Sequence, residues 1–521
     1  MYLTIKDKIC NIAKENIWLS VIIFCLAFSS ILLPQFYDTQ TVHAGEFGGE
    51  NELTVCDIGC DCTTITEALA TSTMSPGYTV RVLDGYDDTG ETFPLTFQDQ
   101  STVLKCENGE KIASSTYVLM SSGNDIRLSS SSTLQDCILE NIDISPNGNG
   151  TVDVTITGNT MTTSTATTTM TFSATTNTHR WTVTNNSGFK QILQEGDDWT
   201  FSSNTMYGEA VGLGNYIFGL GGDDGSTGMS MVSNTFYSYT NKDIIYASSV
   251  DISDLSFTSN TLSYVGVDGS TAAAINLLAS STTGVNISGN YYTIPISGNS
   301  GMIISVYGPS FSGNITHNTC NNLSENTNAC FKGYVASGSP TVNITSTNNL
   351  YYSSAGTATG KGEIIAIDGG TFNYYYADNG YYNLGSNTTT VNGSPTWTSG
   401  GTHRTTDPWM KSSASFPTSM QIAPHSLYHD YNIGANAGTR STDPILIATT
   451  TINYSSIHAN SIDSSLSANL KDNDTITFAA GTYDAFSISS ALSGVTIGGA
   501  GATTIINAGA NESAITLTSF D

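Results

Sequence analysis

The chain has 521 residues and a formal net charge of −28, although only 12% of its residues are charged. Such an acidic protein lacks the basic surface that nucleic-acid phosphates require, so composition excludes nucleic acid as a partner. The length allows several ordinary domains or one long solenoid that needs no single large core. Abundant Ser, Thr, Gly and Asn favour strands and tight turns over surface helices.

The N-terminal segment, residues 1–44, predicts export. Several lysines precede an apolar run at residues 17–33, and small residues up to Ala44 occupy the positions that a signal peptidase recognises. We therefore expect a secreted or cell-surface protein. Because the apolar run is close to the lower length limit for crossing a bilayer, an uncleaved membrane anchor is the alternative.

A short amphipathic helix is predicted at residues 64–71, where Ile65, Ala68 and Leu69 share one side. A Pro-Gly turn and a strand follow at residues 76–82. We expect the helix to cap the open apolar end of the structure that comes next. Further strands are predicted at residues 103–104, 117–120 and 137–144.

A short sequence motif then repeats along the chain. It consists of alternating apolar residues followed by Asn, as in the segment that ends at Asn159. The repeated asparagines are Asn141, Asn159, Asn186, Asn204, Asn234, Asn260, Asn290, Asn318, Asn349 and Asn379. They lie 18 to 31 residues apart. Spacings of this size indicate a solenoid of stacked coils. The period-two pattern indicates coils made of strands.

A strand coil with Asn at a fixed corner resembles the right-handed parallel β-helix of the pectate lyase superfamily, in its extracellular form. The resemblance implies an all-β solenoid over residues 45–395, opened by the capping helix. At the corner, the short amide tolerates left-handed dihedrals. Stacked on successive coils, the asparagines from Asn159 to Asn379 would form an amide ladder.

Residues 396–450 are irregular and predict a closing segment and linker. Within them, Tyr431-Asn432-Ile433-Gly434-Ala435 resembles a motif that ends some extracellular β-helix domains, with Asn432 in place of its acid. A second start signature follows, with a helix predicted at residues 457–470. We therefore expect residues 451–521 to be the N-terminal part of a second β-helix, in a fragment of a longer surface protein.

Exported cysteines should pair, because their compartment is oxidising. Cys320 and Cys330 bracket a short loop and form the first predicted disulfide. Cys106 and Cys137 lie about one coil apart and form the second. Three further cysteines would leave one thiol over: Cys56, Cys60 and Cys62. The alternative, a zinc site on these three, lacks a well-placed fourth ligand.

Acidic groups recur about one coil apart and predict a strip able to hold calcium through oxygen ligands. The groups are Asp197-Asp198, Asp223-Asp224 and Asp251/Asp254, and the expected calcium ligands are Asp223, Asp224 and Asp254. If Arg180 or Lys242 faced this strip, calcium-assisted elimination on a uronate would be conceivable. The alternative is that these acids are solvated turn formers.

Metal-binding residue types also occur in the closing segment, as His425, His429 and Asp430, with His403 and Asp407 upstream. A loop without a helix does not hold an i, i+4 pair on one face, so we expect exposed loop histidines.

Tyrosine clusters follow several of the asparagine corners. They are Tyr291-Tyr292, Tyr351-Tyr352, Tyr374-Tyr375-Tyr376 and Tyr381-Tyr382. Alternate strand positions would send one ring into the core and one outward. Exposed rings on successive coils would form a stacking platform for sugars. The alternative is ordinary aromatic stacking within the solenoid.

Complete catalytic motifs of the enzymes in the resembled superfamily are missing, and only the Asp223-Asp224 pair matches part of one. We therefore expect an exported cell-surface β-helix protein that acts as a non-catalytic adhesive or structural module and binds polysaccharides or surface glycans. The alternative is a polysaccharide lyase or glycoside hydrolase of the pectate-lyase-like class that acts on acidic polysaccharide, with calcium as its cofactor.

Overall fold

The structure is a computed structural model. It describes residues 51–71, 77–98, 101–114, 125–148, 153–162, 171–173, 180–194, 196–208, 216–220, 226–238, 243–264, 273–294, 301–306, 310–323, 328–335, 340–354, 360–367, 370–391, 394–405, 407–408, 410, 420–447, 467, 469–488, 492–499, 501, 504–507 and 515–517. The predicted signal segment, residues 1–44, lies outside them. Among these residues no helix is long and apolar enough to cross a membrane.

The described chain folds as a parallel β-solenoid in which each coil passes through three sheets. One coil contains Thr200–Ser202 in sheet 1, Thr205–Gly208 in sheet 2 and Tyr216–Leu220 in sheet 3. Strands of neighbouring coils pair in parallel, for example Phe201 with Met231. The predicted all-β parallel solenoid is therefore confirmed.

The strand bounds divide among the three sheets. Sheet 1 contains Glu52–Val55, Thr79–Val82, Val103–Cys106, Thr133–Gln135, Thr155–Thr157, Thr182–Thr184, Thr200–Ser202, Ser230–Val232, Ser256–Thr258, the end of Ile275–Ser288, Ser310–Thr316, Thr341–Thr347, Thr371–Ala377 and Thr396–Gly400. Sheet 2 contains Lys111–Ala113, Ile138–Glu140, Thr160–Thr162, Ser187–Phe189, Thr205–Gly208, Thr235–Ser238, Thr261–Tyr264, Tyr291–Ile294, Thr319–Asn322, Leu350–Tyr352 and Gly380–Tyr382. Sheet 3 contains Leu95–Thr96, Asp125–Leu128, Asp143–Pro146, Thr171–Ser173, Gln191–Gln194, Tyr216–Leu220, Asp243–Ser253, Ile275–Ser288, Met302–Val306, Ala329–Val335, Lys361–Ile367 and Ser386–Val391, and Ser226–Thr227 pairs beside it.

Successive side chains of each strand point alternately into and out of the solenoid, and the inward ones form the core. In sheet 1 one inward position is occupied in successive coils by almost fully buried residues: Ile156, Val183, Phe201, Met231, Phe257, Ile287 and Ile315. The residues on either side of it point outward. These large apolar side chains stack from coil to coil, so each coil removes its neighbour's apolar surface from water.

The corner before sheet 1 pairs an aspartate with a glycine in the next coil. Asp198 and Gly228 both have positive φ, 56° and 69°. A Cβ on Gly228 would lie 2.3 Å from Oδ1 of Asp198. Asp254 and Gly284 repeat the arrangement, with a corresponding distance of 2.4 Å. The glycine is thus required both by its backbone conformation and by the carboxylate above it.

The predicted helix occurs as Ile65–Ala70, and Ile65, Ala68 and Leu69 are its buried residues. Thr64 begins it, because its hydroxyl accepts a hydrogen bond from the Glu67 backbone N–H. Two 3₁₀ turns, Asp88–Gly90 and Glu107–Gly109, follow in the first coils. The capping role of the helix stays a prediction.

The strand predicted at residues 137–144 is two strands, Ile138–Glu140 and Asp143–Pro146. They are separated at Asn141, whose φ of 57° breaks the extended backbone. The strand predicted at residues 117–120 lies outside the described residues.

The segment predicted as closing segment and linker folds back onto the solenoid. Ile433 is fully buried in a cluster with Leu350 and Tyr352 on the outer side of sheet 2. The Gly434 N–H donates to the Asn348 carbonyl, and the Ala435 N–H donates to the Thr319 hydroxyl. This segment therefore forms part of the packed structure.

A second, smaller core follows. Its strands are Ile445–Ile447, Thr475–Phe478, Gly481–Asp484, Phe486–Ile488, Thr496–Gly499, Thr504–Asn507 and Ile515–Leu517, all paired in parallel. Arg440 is buried and forms a two-pronged ion pair with Asp474, at 2.8 and 2.6 Å, which ties this core to the closing segment. Most of the helix predicted at residues 457–470 lies outside the described residues.

Candidate binding face

The nine asparagines from Asn159 to Asn379 form one continuous ladder at the corner between sheets 1 and 2. Its members are Asn159, Asn186, Asn204, Asn234, Asn260, Asn290, Asn318, Asn349 and Asn379, each buried. At Asn260, for example, Oδ1 accepts from the backbone N–H and the Nδ2 of Asn234, at 2.9 and 3.0 Å. Its own Nδ2 donates to the Met231 carbonyl and to Asn290. Every amide therefore satisfies backbone groups that the sharp corner would leave buried without partners.

Asn141, expected to begin the repeat, does not belong to the ladder. The position before Asn159 is held by Cys137, whose N–H donates to the Asn159 Oδ1 at 3.0 Å. The repeat is therefore shifted by four residues there, because Cys137 and not Asn141 directly precedes the sheet 2 strand, Ile138–Glu140, in that coil.

Both predicted disulfides are confirmed. Cys106 bonds to Cys137 across one coil, next to the end of the ladder. Cys320 bonds to Cys330 inside the core. Two further cysteines are disulfide-bonded, Cys56 and Cys60, and Cys62 is a buried free thiol. Burial raises the pKa of the Cys62 thiol to about 11, so it is not a reactive thiolate.

Sheet 1 carries an outward surface that we call the hydroxyl face. It consists of Thr155, Thr157, Thr182, Thr184, Thr200, Ser202, Ser230, Val232, Ser256, Thr258, Asn286, Ser288, Asn314, Thr316, Thr345 and Thr347. All except Val232 are Ser, Thr or Asn, and none is charged. This surface was not predicted from the sequence, although the Ser, Thr and Asn residues that flank the buried residues were its signal.

The hydroxyl face is ordered by its own hydrogen bonds. Thr184 Oγ1 donates to Thr157 Oγ1, and Thr316 Oγ1 donates to Ser288 Oγ, both at 3.0 Å. The side chains are half-buried against one another, except for the exposed Asn314. Threonine is stiff about χ1 because its Cβ is branched. The rows are therefore regular arrays of groups that both donate and accept hydrogen bonds.

Of the expected calcium ligands, Asp223 and Asp224 lie outside the described residues, as does Lys242. Asp254 shares the corner column before sheet 1 with Asp198, and Gly228 stands between them. The described residues contain no group of three side chains that could hold a metal ion. The calcium strip stays a prediction, and Asp198 and Asp254 occupy the aspartate–glycine corner.

Arg180 does not approach Asp198 or Asp254 in an ion pair. Its guanidinium pairs with Asp153, one coil earlier in the same corner column, with Nε–Oδ1 at 2.8 Å and Nη2–Oδ2 at 2.9 Å. Both side chains are largely exposed, so the pair contributes little stability.

The expected tyrosine platform is largely covered. Tyr292, Tyr351, Tyr374 and Tyr381 point into the core and are buried. The outward Tyr291, Tyr352 and Tyr382 pack with Met410, Met420, Ile422, Tyr428 and Ile433 of the closing segment. The packing of this segment on sheet 2 was not predicted from the sequence. On sheet 2 the alternative, aromatic packing within the fold, is the correct one, whereas Tyr375 on sheet 1 is exposed.

Two tyrosine pairs outside the predicted clusters are partly exposed. Tyr207 and Tyr237 stack at 5.3 Å on sheet 2, and Tyr216 and Tyr246 stack at 5.6 Å on sheet 3. Because each ring lies against the ring of the next coil, much of the ring face is already occupied. These pairs offer sugars less area than the predicted platform would.

The histidines of the closing segment do not form a metal centre among the described residues. His425, expected to be exposed, is buried, and its Nε2 lies 2.7 Å from the Asp443 carbonyl. Burial lowers the pKa of His425, so it is neutral at pH 7. His403 stacks on Tyr376 and contacts the Asn379 N–H through Nδ1.

A buried carboxyl group, missed by the sequence analysis, lies near the C-terminal end of the ladder. Glu363 in sheet 3 is fully buried, and its oxygens accept hydrogen bonds from the hydroxyls of Ser346, Tyr374 and Tyr381 at 2.8 to 3.0 Å. Burial raises its pKa to about 7 against the opposing effect of these hydrogen bonds. No signal in the local sequence distinguishes it from an exposed strand residue.

No protein-family model, curated protein or solved structure matches this chain. The solenoid fold is therefore established by its own geometry, and membership of the pectate lyase superfamily stays a prediction.

Proposed function

We propose that this chain is an exported, cell-surface β-solenoid that acts as a non-catalytic adhesive or structural stalk and binds glycans. The observation that carries the proposal is the hydroxyl face. Its Ser, Thr and Asn side chains extend over successive coils without a charged residue. Hydroxyl and amide groups match the mixed donors and acceptors of sugar hydroxyls.

Export is supported by the disulfides, since such bonds persist in oxidising compartments. The role as a stalk is supported by the asparagine ladder and the continuous core, which bind each coil to the next. A solenoid of this kind holds a long surface in a fixed geometry at the cell exterior.

The test is a glycan panel applied to the purified full chain, with added calcium and separately with a chelator. Unsaturated products from uronate polymers are followed by absorbance in the same samples. We expect binding that the chelator does not change and no turnover. Absence of binding to every glycan would contradict the proposal, and calcium-dependent unsaturated products would replace it with the lyase alternative.

A further inference from the structure

We propose that the hydroxyl face binds a neutral, unbranched polysaccharide whose chain runs along the solenoid axis, across the coils of sheet 1. This inference rests on the proposed glycan binding and adds the chemical class of the glycan, its site and its direction.

The dimensions of the face favour a single narrow chain. Eight neighbouring strands, spaced by about 4.8 Å, give a length of about 34 Å, and three residues per strand give a width of about 10 Å. A polymer one sugar wide would cover the hydroxyl face.

The charges favour a neutral polymer. The protein has a formal net charge of −28, so a polyanion is repelled as it approaches. No Lys or Arg lies on the hydroxyl face to pair with a carboxylate or sulfate. The corner beside the face adds Asp198 and Asp254, and Arg180 in the same corner is already paired with Asp153. An uncharged sugar chain avoids this repulsion and needs no counter-ion.

The order of the hydroxyls favours a repeating ligand. Thr157 and Thr184 are already joined by a hydrogen bond, as are Ser288 and Thr316, so few rotamers are lost on binding. Each coil presents the same two outward positions to the next sugar in line. The threonine methyl groups and Val232 lie between the hydroxyls and can contact the C–H groups of a sugar ring. The same interaction can therefore repeat along the chain.

The test removes hydroxyls without changing side-chain shape. The triple variant Thr157→Val, Thr184→Val and Thr200→Val keeps the branched Cβ in all three strands. It is titrated, as the full chain, with soluble neutral polymers (xylan, mannan and short β-linked glucans) and with polygalacturonate. Three lost hydrogen bonds predict affinity for the neutral polymer lower by about 10- to 100-fold.

The matched control is the triple variant Thr160→Val, Thr205→Val and Thr235→Val, which makes the same change on the outer side of sheet 2. We expect wild-type affinity from it. Far-ultraviolet circular dichroism and thermal melting establish that both variants are folded.

The possible results separate the two proposals. Loss of affinity in the sheet 1 variant alone supports the inference. Neutral binding that both variants lose equally, or that neither loses, overturns the site while glycan binding stands. Binding of polygalacturonate alone overturns the neutral class. Absence of binding to any polymer overturns this inference together with the proposed function.

Discussion

The middle coils and the coil around Glu363 fill the core with opposite kinds of side chain, apolar in the first and polar in the second. In the middle coils the inward column of sheet 1 is apolar, as at Phe201, Phe257 and Ile315. One coil after Ile315 the column contains Ser346, and this hydroxyl donates to the buried Glu363 carboxyl. The core of this solenoid can therefore contain a carboxyl group where the neighbouring coils supply hydroxyl donors.

The asparagine ladder joins both regions, and breaking it in the middle has the largest expected effect. Asn260→Ala removes the acceptor of two buried donors, the N–H and the Nδ2 of Asn234. We expect a loss of about 4 kcal/mol in the free energy of unfolding, measured by urea denaturation.

The matched control is Asn159→Ala at the N-terminal end of the ladder. There Oδ1 accepts from the Cys137 N–H, and no preceding asparagine depends on it. We expect a loss of about 2 kcal/mol. Equal losses at Asn159 and Asn260 would show that the stacked amides contribute no more than isolated corner hydrogen bonds.

The Glu363 coil should give the protein a pH-dependent stability. The pKa of Glu363 is raised from 4.5 to about 7, so the folded state favours the protonated carboxyl. This stabilisation is fully present below about pH 4.5 and is lost as the pH rises through about 7, a change on the order of 3 kcal/mol. The tyrosines that face Glu363, namely Tyr292, Tyr351, Tyr374 and Tyr381, have raised pKa values and stay neutral across this window.

Glu363→Gln tests this expectation, because glutamine is neutral at every pH. Its carbonyl can accept from Ser346 and Tyr374, and its amide N–H can donate to the Tyr381 hydroxyl, as the protonated carboxyl does. We expect the difference in unfolding free energy between wild type and variant to change across the window. A difference that stays constant between about pH 4 and about pH 8 would show that Glu363 does not titrate in the folded protein.

An aspartate–glycine contact occurs in both regions, at the corner before sheet 1 for Gly228 and at the corner after sheet 1 for Gly401, and should give equal effects that are smaller than that of Asn260→Ala. Gly228 in the middle and Gly401 near the Glu363 coil have positive φ, and an added Cβ would lie 2.3 and 2.0 Å from the carboxylates of Asp198 and Asp378. We expect Gly→Ala to cost about 2 to 3 kcal/mol at either site.

Gly85→Ala separates strain from crowding. Gly85 has a φ of 85° but no atom within 4 Å of an added Cβ. We expect a cost of about 1 kcal/mol, from the backbone conformation alone. Equal costs at Gly85 and Gly228 would show that the contact with the aspartate does not contribute to the cost at Gly228.

The ladder was predictable because each asparagine is preceded by the same alternating pattern in a single stretch of chain. The Glu363 cluster was not, since Ser346, Tyr374 and Tyr381 reach the carboxyl only after the coils close. The burial of Tyr352 could not be predicted either, because it depends on where the closing segment packs. The hydroxyl face could have been predicted from the Ser, Thr and Asn residues that flank each buried residue, once the outward positions of successive coils were aligned.

The most direct measurement of the central claim is the salt dependence of binding to a neutral polysaccharide. Between about 0.01 M and about 1 M NaCl the Debye length falls from about 30 Å to about 3 Å, which screens charge-based recognition. Recognition by uncharged hydroxyls on sheet 1 predicts an affinity that changes by less than about twofold over this range. An affinity that falls tenfold or more would contradict the account and assign binding to charged groups outside the hydroxyl face.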